Sequence, residues 1–166
     1  MELKGSAHIF GNDINTDYII SGRYKFKTLD MKELARHLME DLDPEFVNRI
    51  DPGDFIVAGR NFGCGSSREQ APLTIINAGI SAVIAKSFAR IFYRNSINTG
   101  LPLIECDTAM IEAGDQLKVN LAEGLLYNLS KKKEIPVVPL PPVMLKILAD
   151  GGLVEHFKKH GTFNFD

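Results

Sequence analysis

Between residues 54 and 105 the chain alternates three short apolar runs with two segments of helix length. The runs are Asp54–Ala58, Ser81–Lys86 and Leu101–Glu105. Residues 69–78 and 88–98 lie between them and read as helices; Gly79 and Gly100 follow as stop signals. Strand–helix–strand–helix–strand is the pattern of a parallel sheet with crossover connections. In such sheets ligands bind at the loops that follow the strands.

The first of those loops is unusual. It reads Gly59-Arg60-Asn61-Phe62-Gly63-Cys64-Gly65-Ser66-Ser67-Arg68-Glu69-Gln70. Its glycines permit positive φ and close backbone approach. Ser66 precedes Glu69 and Ser67 precedes Gln70 by three residues, which is a doubled capping-box signal for the next helix. An open helix start favours an anion, and Arg68 adds a fork that fits a carboxylate or phosphate. Two readings follow: an anion site with a hydroxyl held in it, or a capped glycine turn with nothing bound. Arg68 beside paired serines favours the first.

Ahead of this unit, residues 3–10 read as a strand and residues 11–17 as a polar turn. Residues 21–28 read as a loop rich in basic and aromatic side chains, suited to closing over an anionic small molecule. Residues 30–41 have the periodicity of an amphipathic helix, started by Asp30 with Glu33. Residues 44–50 form a further helical turn. After the unit, residues 116–120 and 125–129 alternate around Glu123-Gly124 and predict a β-hairpin. Residues 131–134 read as a solvated basic turn and 136–142 as an extended, proline-limited stretch. Helices over 143–148 and 153–160 close the chain. No repeat or linker divides it, so residues 1–166 read as one domain.

Composition removes several function classes. Apolar residues make up 45% and charged residues 24%, and the formal net charge is -2, so nothing draws the chain to nucleic acid. No apolar run is long enough for a membrane span, and the start lacks a signal-peptide block, so a cytoplasmic place is expected. Cys64 and Cys106 are too few and too far apart for a disulfide framework or a self-contained metal site. His156 and His160 are four apart near the C-terminus and read as a solvated helix face rather than a metal pair.

The loop lacks the Gly-x-Ser-x-Gly elbow of a hydrolase and the lysine of a phosphate loop. What remains is a serine activated by positive charge and dipole, able to take a proton beside a carboxylate. Nothing within the loop would stabilise a leaving group, so the chain reads as chemically incomplete. A stand-alone module for phosphate or another small anion is the reading from a different class.

Asn61-Phe62-Gly63-Cys64-Gly65-Ser66-Ser67-Arg68-Glu69 closely resembles the serine loop of the aconitase superfamily. Residues 86–95, then Asn98, Gly100, Leu101 and Pro102, resemble it too, as does Asn15-Thr16-Asp17. At this length the chain is similar to the free-standing small subunits of that superfamily's isopropylmalate isomerases. The resemblance spans about residues 5–160. It implies an α/β fold, a swivelling β/β/α domain with a small, mainly parallel sheet, flanking helices and added hairpin strands.

It also implies a hydro-lyase that moves a hydroxyl along a small dicarboxylic hydroxy-acid by dehydration and rehydration, with leucine biosynthesis as the pathway. Related enzymes act on homoaconitate, dimethylmalate or citramalate. The partner is a separate large subunit carrying a [4Fe–4S] cluster on its own three cysteines; this chain alone holds no cofactor or metal. By the same resemblance Ser66 is the general base. Ser67 and Arg68 bind substrate carboxylate, and Asp17 lines the site. The family's substrate-choosing loop falls at residues 24–28, where Lys27, then Lys25, are the candidates for a substrate carboxylate. Cys64 packs the tight turn rather than binding the cluster. Arg90 and Arg94, four apart on one helix, either bind substrate or support the serine loop, with support favoured.

Overall fold

The computed structural model describes residues 1–162. The expected alternating unit is present: strands β2 (Phe55–Ala58), β3 (Ala82–Ala85) and β4 (Leu103–Glu105) pair in parallel, with helices α4 (Gln70–Asn77) and α5 (Arg90–Thr99) as crossovers. Period-two burial explains why these strands read as unbroken apolar runs. Ile56, Ala58, Val83 and Ala85 point to one core; Phe55, Val57, Ala82 and Ile84 point to another on the opposite face.

Strand β1 (Glu2–Ile9) joins two halves of the sheet. Its residues 7–9 pair in parallel with β2, and its residues 2–6 pair antiparallel with β5 (Gln116–Asn120). Strands β6 (Leu125–Asn128) and β7 (Lys133–Pro136) continue antiparallel, so the order is β4-β3-β2-β1-β5-β6-β7. The basic turn expected at 131–134 is thus partly a third strand of the meander. The turn itself is residues 129–132, with Lys132 at φ 53°. The sheet also curls on itself: Cys106 bridges Val137, and the Val138 amide donates to the Glu105 carbonyl at 2.8 Å. The two outer strands therefore meet at one end.

The helical layer lies over the first core. Short helices α1 (Thr16–Ile19), α2 (Gly22–Lys25) and α3 (Met31–Ala35) precede a single 3₁₀ turn at Phe46–Arg49. Two expectations are corrected here. The stretch at residues 21–28 contains a helical turn, because Ser21 accepts from the Arg23 amide and Tyr24 stacks flat on His37 at 3.6 Å. Helix α3 stops at Ala35, not Asp41. Met39 turns to φ 59° and donates to the Ile19 carbonyl at 3.0 Å, which buries both Leu38 and Met39 completely.

Helices α6 (Pro142–Ala149) and α7 (Leu153–His160) pack on α5 through Ile97, Ile147, Leu148 and Leu153. Residues 163–166 of the expected domain lie outside the described residues. Among the described residues no helix is long and apolar enough to cross a membrane.

One buried carboxylate pins the start of β2. Asp54 accepts from the Ser6 amide at 2.8 Å and the Asp51 amide at 3.0 Å, and lies 2.7 Å from His8 Nε2. Burial alone would raise its pKa; the His8 bond and the two amides outweigh it and hold the carboxyl below its ordinary value. The stability this gives is complete above the unfolded value near pH 3.9 and is lost as the pH falls through the folded value. Thermal melts of Asp54→Asn should show a lower Tm at neutral pH and a smaller further drop between about pH 4 and pH 2 than the parent. Parallel curves would remove Asp54 from the account of acid lability.

Candidate active site

The site is built by zipping three loops together beyond the strand ends. The loop after β1 donates from Asp13 to the Arg60 carbonyl at 2.8 Å and from Thr16 to the Cys64 carbonyl at 2.8 Å, and takes the Gly63 amide on the Ile14 carbonyl at 2.8 Å. The loop after β3 binds the other side: Phe62 donates to the Ser87 carbonyl at 3.1 Å, and Ala89 to the Phe62 carbonyl at 2.9 Å. The serine loop is therefore clamped on both flanks, as a strand would be. Its glycines are needed for that. Gly63 has φ +80°, and a Cβ there would fall 2.1 Å from Cγ of buried Phe92; Gly65 has φ +95° against the Asn15 amide.

This clamp opens a cavity of about 580 Å³, within the range of small-ligand sites. Its walls include Thr16, Asn61, Ser66, Ser67, Arg68, Arg90, Ile91 and Asn95. Ser66 and Ser67 are exposed. Buried Thr16 fixes the first, its Oγ1 donating to the Ser66 carbonyl at 2.9 Å, and Asn95 Nδ2 donates to Ser67 Oγ at 3.3 Å. Asn95 and Thr16 carry these contacts, and sequence reasoning gave neither a role in the site beyond its motif. Their motif spacing was visible, but their partners are long-range.

The expected capping box is not formed. Glu69 is the N-cap of α4, in helical φ/ψ and without a side-chain cap bond. Nor does the first turn of α4 line the cavity; the first turn of α5 does, through Arg90, Ile91 and Phe92. Ala89 is its N-cap, so no side chain caps it and its leading N–H groups keep their donor capacity. The anion-favouring helix end predicted for the serine loop is thus supplied by the next crossover. Pro72, at the third position of α4, also leaves that helix start one N–H short.

Arg68 is 88% covered at the side chain, being 12% exposed. Its Nη1 donates to the Ile20 carbonyl at 3.1 Å, its Nη2 pairs with Asp17, and its Nε is buried with no hydrogen-bond partner among the described residues. Asp17 is brought to the site as Arg68's ion partner, presented by the Asn15 cap of α1, whose Oδ1 accepts the Asp17 amide at 2.9 Å. Lys25 and Lys27 are not among the lining residues. Their Nζ atoms lie 5.2 Å from the Phe26 ring and 5.9 Å from the Tyr24 ring. Arg90 is an exposed wall residue, while Arg94 does not line the cavity.

Among the described residues the cavity wall has no histidine, lysine, cysteine or carboxylate to serve as a base. Chemically it offers three hydroxyls, of which that of Thr16 is tied to the Ser66 carbonyl, with two guanidinium groups, two amides and a helix start. That set binds an anion and lowers the cost of an alkoxide. It does not by itself stabilise a departing hydroxide.

The donor set does not fit an iron–sulfur cluster. The chain has two cysteines. Cys106 is buried in the second core, with its thiol pushed up to about 12 by burial and the neighbouring Asp107 and Glu105. Cys64 is half-buried, its thiol raised by burial and then by Asp13. Both environments favour a protonated packing residue over a thiolate ligand.

Comparison with known proteins shows the family and the fold. Residues 24–108 match the family model described as the aconitase C-terminal domain. A relative named 3-isopropylmalate dehydratase small subunit 2, from Archaeoglobus fulgidus, is 60% identical, covering 97% of this chain and 98% of that one. A 3-isopropylmalate dehydratase small subunit from Caldicellulosiruptor saccharolyticus is 56% identical, covering 95% of this chain and 92% of the other. The crystal structure of a 3-isopropylmalate dehydratase from Methanocaldococcus jannaschii superposes with a TM-score of 0.93 at 49% identity, over 97% of this chain and 96% of that chain.

Proposed function

The chain belongs to the 3-isopropylmalate dehydratase small subunits of the aconitase C-terminal-domain family, and from that premise we propose that it is one half of an active site, completed by a large subunit. It is a hydro-lyase subunit of leucine biosynthesis that interconverts 2- and 3-isopropylmalate. The observation that carries this reading is the cavity itself: a clamped serine pair, its Ser66 hydroxyl free to act as base, beside two arginines and a helix start. A free-standing anion module would not need a hydroxyl held exposed in the centre of the wall. Phe26 and Leu29 stand 82% and 85% exposed, and Ile91 of the cavity wall 54%. Such side chains suit a surface that a second chain covers.

This chain's part in the reaction follows from its groups. Ser66 Oγ takes the proton from the carbon next to a carboxylate as the neighbouring carbon loses its hydroxyl and the double bond forms. The reverse addition places hydroxyl and proton on exchanged carbons. Arg68, Arg90 and the first turn of α5 supply the positive field that favours the serine alkoxide and holds the dianionic substrate. Ser67, oriented by Asn95, donates to a carboxylate. Asp17 holds Arg68 in place and keeps its charge local until substrate competes for it. In the aconitase resemblance a [4Fe–4S] cluster belongs to the large subunit, where it supplies Lewis acidity at the substrate hydroxyl. Lys27 and Lys25, outside the cavity wall, approach a substrate carboxylate only when residues 24–28 close with the partner in place. The whole chain acts as one swivelling domain, in the cytoplasm.

Arg68→Lys should raise KM tenfold or more, about 1.4 kcal/mol, because an ammonium cannot hold the Ile20 carbonyl, Asp17 and a carboxylate from one planar fork. Lys27→Ala should raise it less. Equal KM values for Arg68→Lys and parent would remove Arg68 from substrate binding. The reading as a whole is tested by offering isopropylmalate, homoaconitate, dimethylmalate and citramalate to the assembled enzyme. Preference for isopropylmalate is expected; preference for another diacid would keep the chemistry and move the pathway.

A further inference from the structure

The end of the chain carries a cluster that the reaction does not use. Asp150 caps the C-terminus of α6, and the Gly151-Gly152 turn folds α7 back over it. Its Oδ2 lies 2.7 Å from His156 Nδ1 and 2.8 Å from His160 Nε2. Its other oxygen accepts from Lys159 Nζ at 2.6 Å. The expectation of a solvated histidine face fails here, because the acidic partner arrives from another helix. His156 is buried at 3%, while the His160 side chain is 42% exposed and opens the cluster to solvent.

We propose that Asp150, His156 and His160 form a site for a divalent transition-metal ion of the zinc type. One ligand atom from each converges within 4.8 Å of the others. Two imidazole nitrogens and one carboxylate oxygen are the donors that zinc, nickel and copper accept, and they leave a fourth position for water. Histidines at i and i+4 share one helix face, so α7 presents both without strain. Lys159 and the two histidines hold Asp150 well below the usual carboxylate range, so it is an ionised ligand across ordinary pH.

In binding, the metal takes the place of the proton that each imidazole now shares with Oδ2, and those protons go to solvent or to the far ring nitrogen. Tetrahedral bonds of about 2.0–2.1 Å put neighbouring donors about 3.3 Å apart. The present hydrogen-bonded spacings must therefore open by about half an ångström, which exposed His160 accommodates. Lys159 stays on the second oxygen, orienting the carboxylate as an outer partner. Its positive charge weakens the site, so micromolar rather than tighter binding is expected.

The cluster lies on the helices that pack against the later turns of α5, whereas the reaction cavity is lined by the start of α5. The role assigned to the ion is to clamp α7 onto α6, independent of turnover. The test is calorimetric titration of the untagged full chain with zinc chloride, with cobalt absorption as a second readout. One ion per chain, a zinc-dependent rise in Tm, and at least tenfold weaker binding in both His160→Gln and Asp150→Asn are expected, with His37→Gln unchanged. No saturable binding would overturn the proposal and leave the cluster as a hydrogen-bonded latch. Binding that His160→Gln leaves intact would overturn it as well.

Discussion

A Ser66→Ala chain assembled with its large subunit is expected to turn over about 10²–10⁴-fold more slowly than the parent, the usual range for removing a general base. Folding and docking should be unchanged. The reason is local. Thr16 holds the Ser66 backbone carbonyl, not its hydroxyl, so alanine keeps the loop in place. The hydroxyl has no hydrogen-bond partner among the described residues and is exposed in the cavity wall. Ser67→Ala differs: it loses the Asn95 contact and should act mainly on KM. The check is steady-state kinetics of both variants, with complex formation measured by sedimentation. Parent-like turnover by Ser66→Ala would strip Ser66 of its role.

The second large effect is on stability. Gly63→Ala is expected to lower Tm by roughly 5–20 °C, from a loss of about 2–5 kcal/mol. Two penalties add. Alanine at φ +80° is strained, and its Cβ would sit 2.1 Å from Cγ and 2.5 Å from Cβ of Phe92, atoms near the backbone that cannot swing aside. Phe92 is 2% exposed and packs edge-on against Phe62 at 5.3 Å. Gly114 separates the terms: its φ is +84°, but nothing lies within 4 Å of a Cβ there. Gly114→Ala should therefore cost only the backbone part. Equal melting shifts for the two would show that Phe92 contact contributes nothing.

How much of this was legible follows from which contacts are local. The parallel unit was readable because each strand buries both faces and so appears as an unbroken apolar run. The hairpin was readable from alternation. Strand β7 was hidden: Lys133 and Glu134 are exposed, and only Ile135 points inward, so the run lacks a strand's pattern. Helix α3 ended early because Met39 pairs with Ile19, twenty residues back, a long-range bond that periodicity over 30–41 does not register.

The site divides in the same way. Ser66, Ser67, Arg68 and Asp17 were named by resemblance to a family motif; the first three share one cavity wall, while Asp17 is not a wall residue and reaches the site through its ion pair with Arg68. The anion-favouring helix was assigned to α4 because it follows the serines directly. The fold of the clamped loop brings the first turn of α5 to the cavity instead. Lys27 and Lys25 were candidates for a substrate carboxylate because the family's substrate-choosing loop falls, by resemblance, at residues 24–28. The short helix α2 and the Tyr24–His37 stack place them beside aromatic rings instead. Asp150 escaped notice because it lies six positions before His156, across the Gly151-Gly152 turn.

The central claim is that this chain is half of an active site. Turnover of isopropylmalate should be followed anaerobically with this chain alone, the cluster-bearing large subunit alone, and the two mixed. The account predicts activity only in the mixture, saturating as the small subunit is titrated in. Turnover by either chain alone at the rate of the mixture would contradict it.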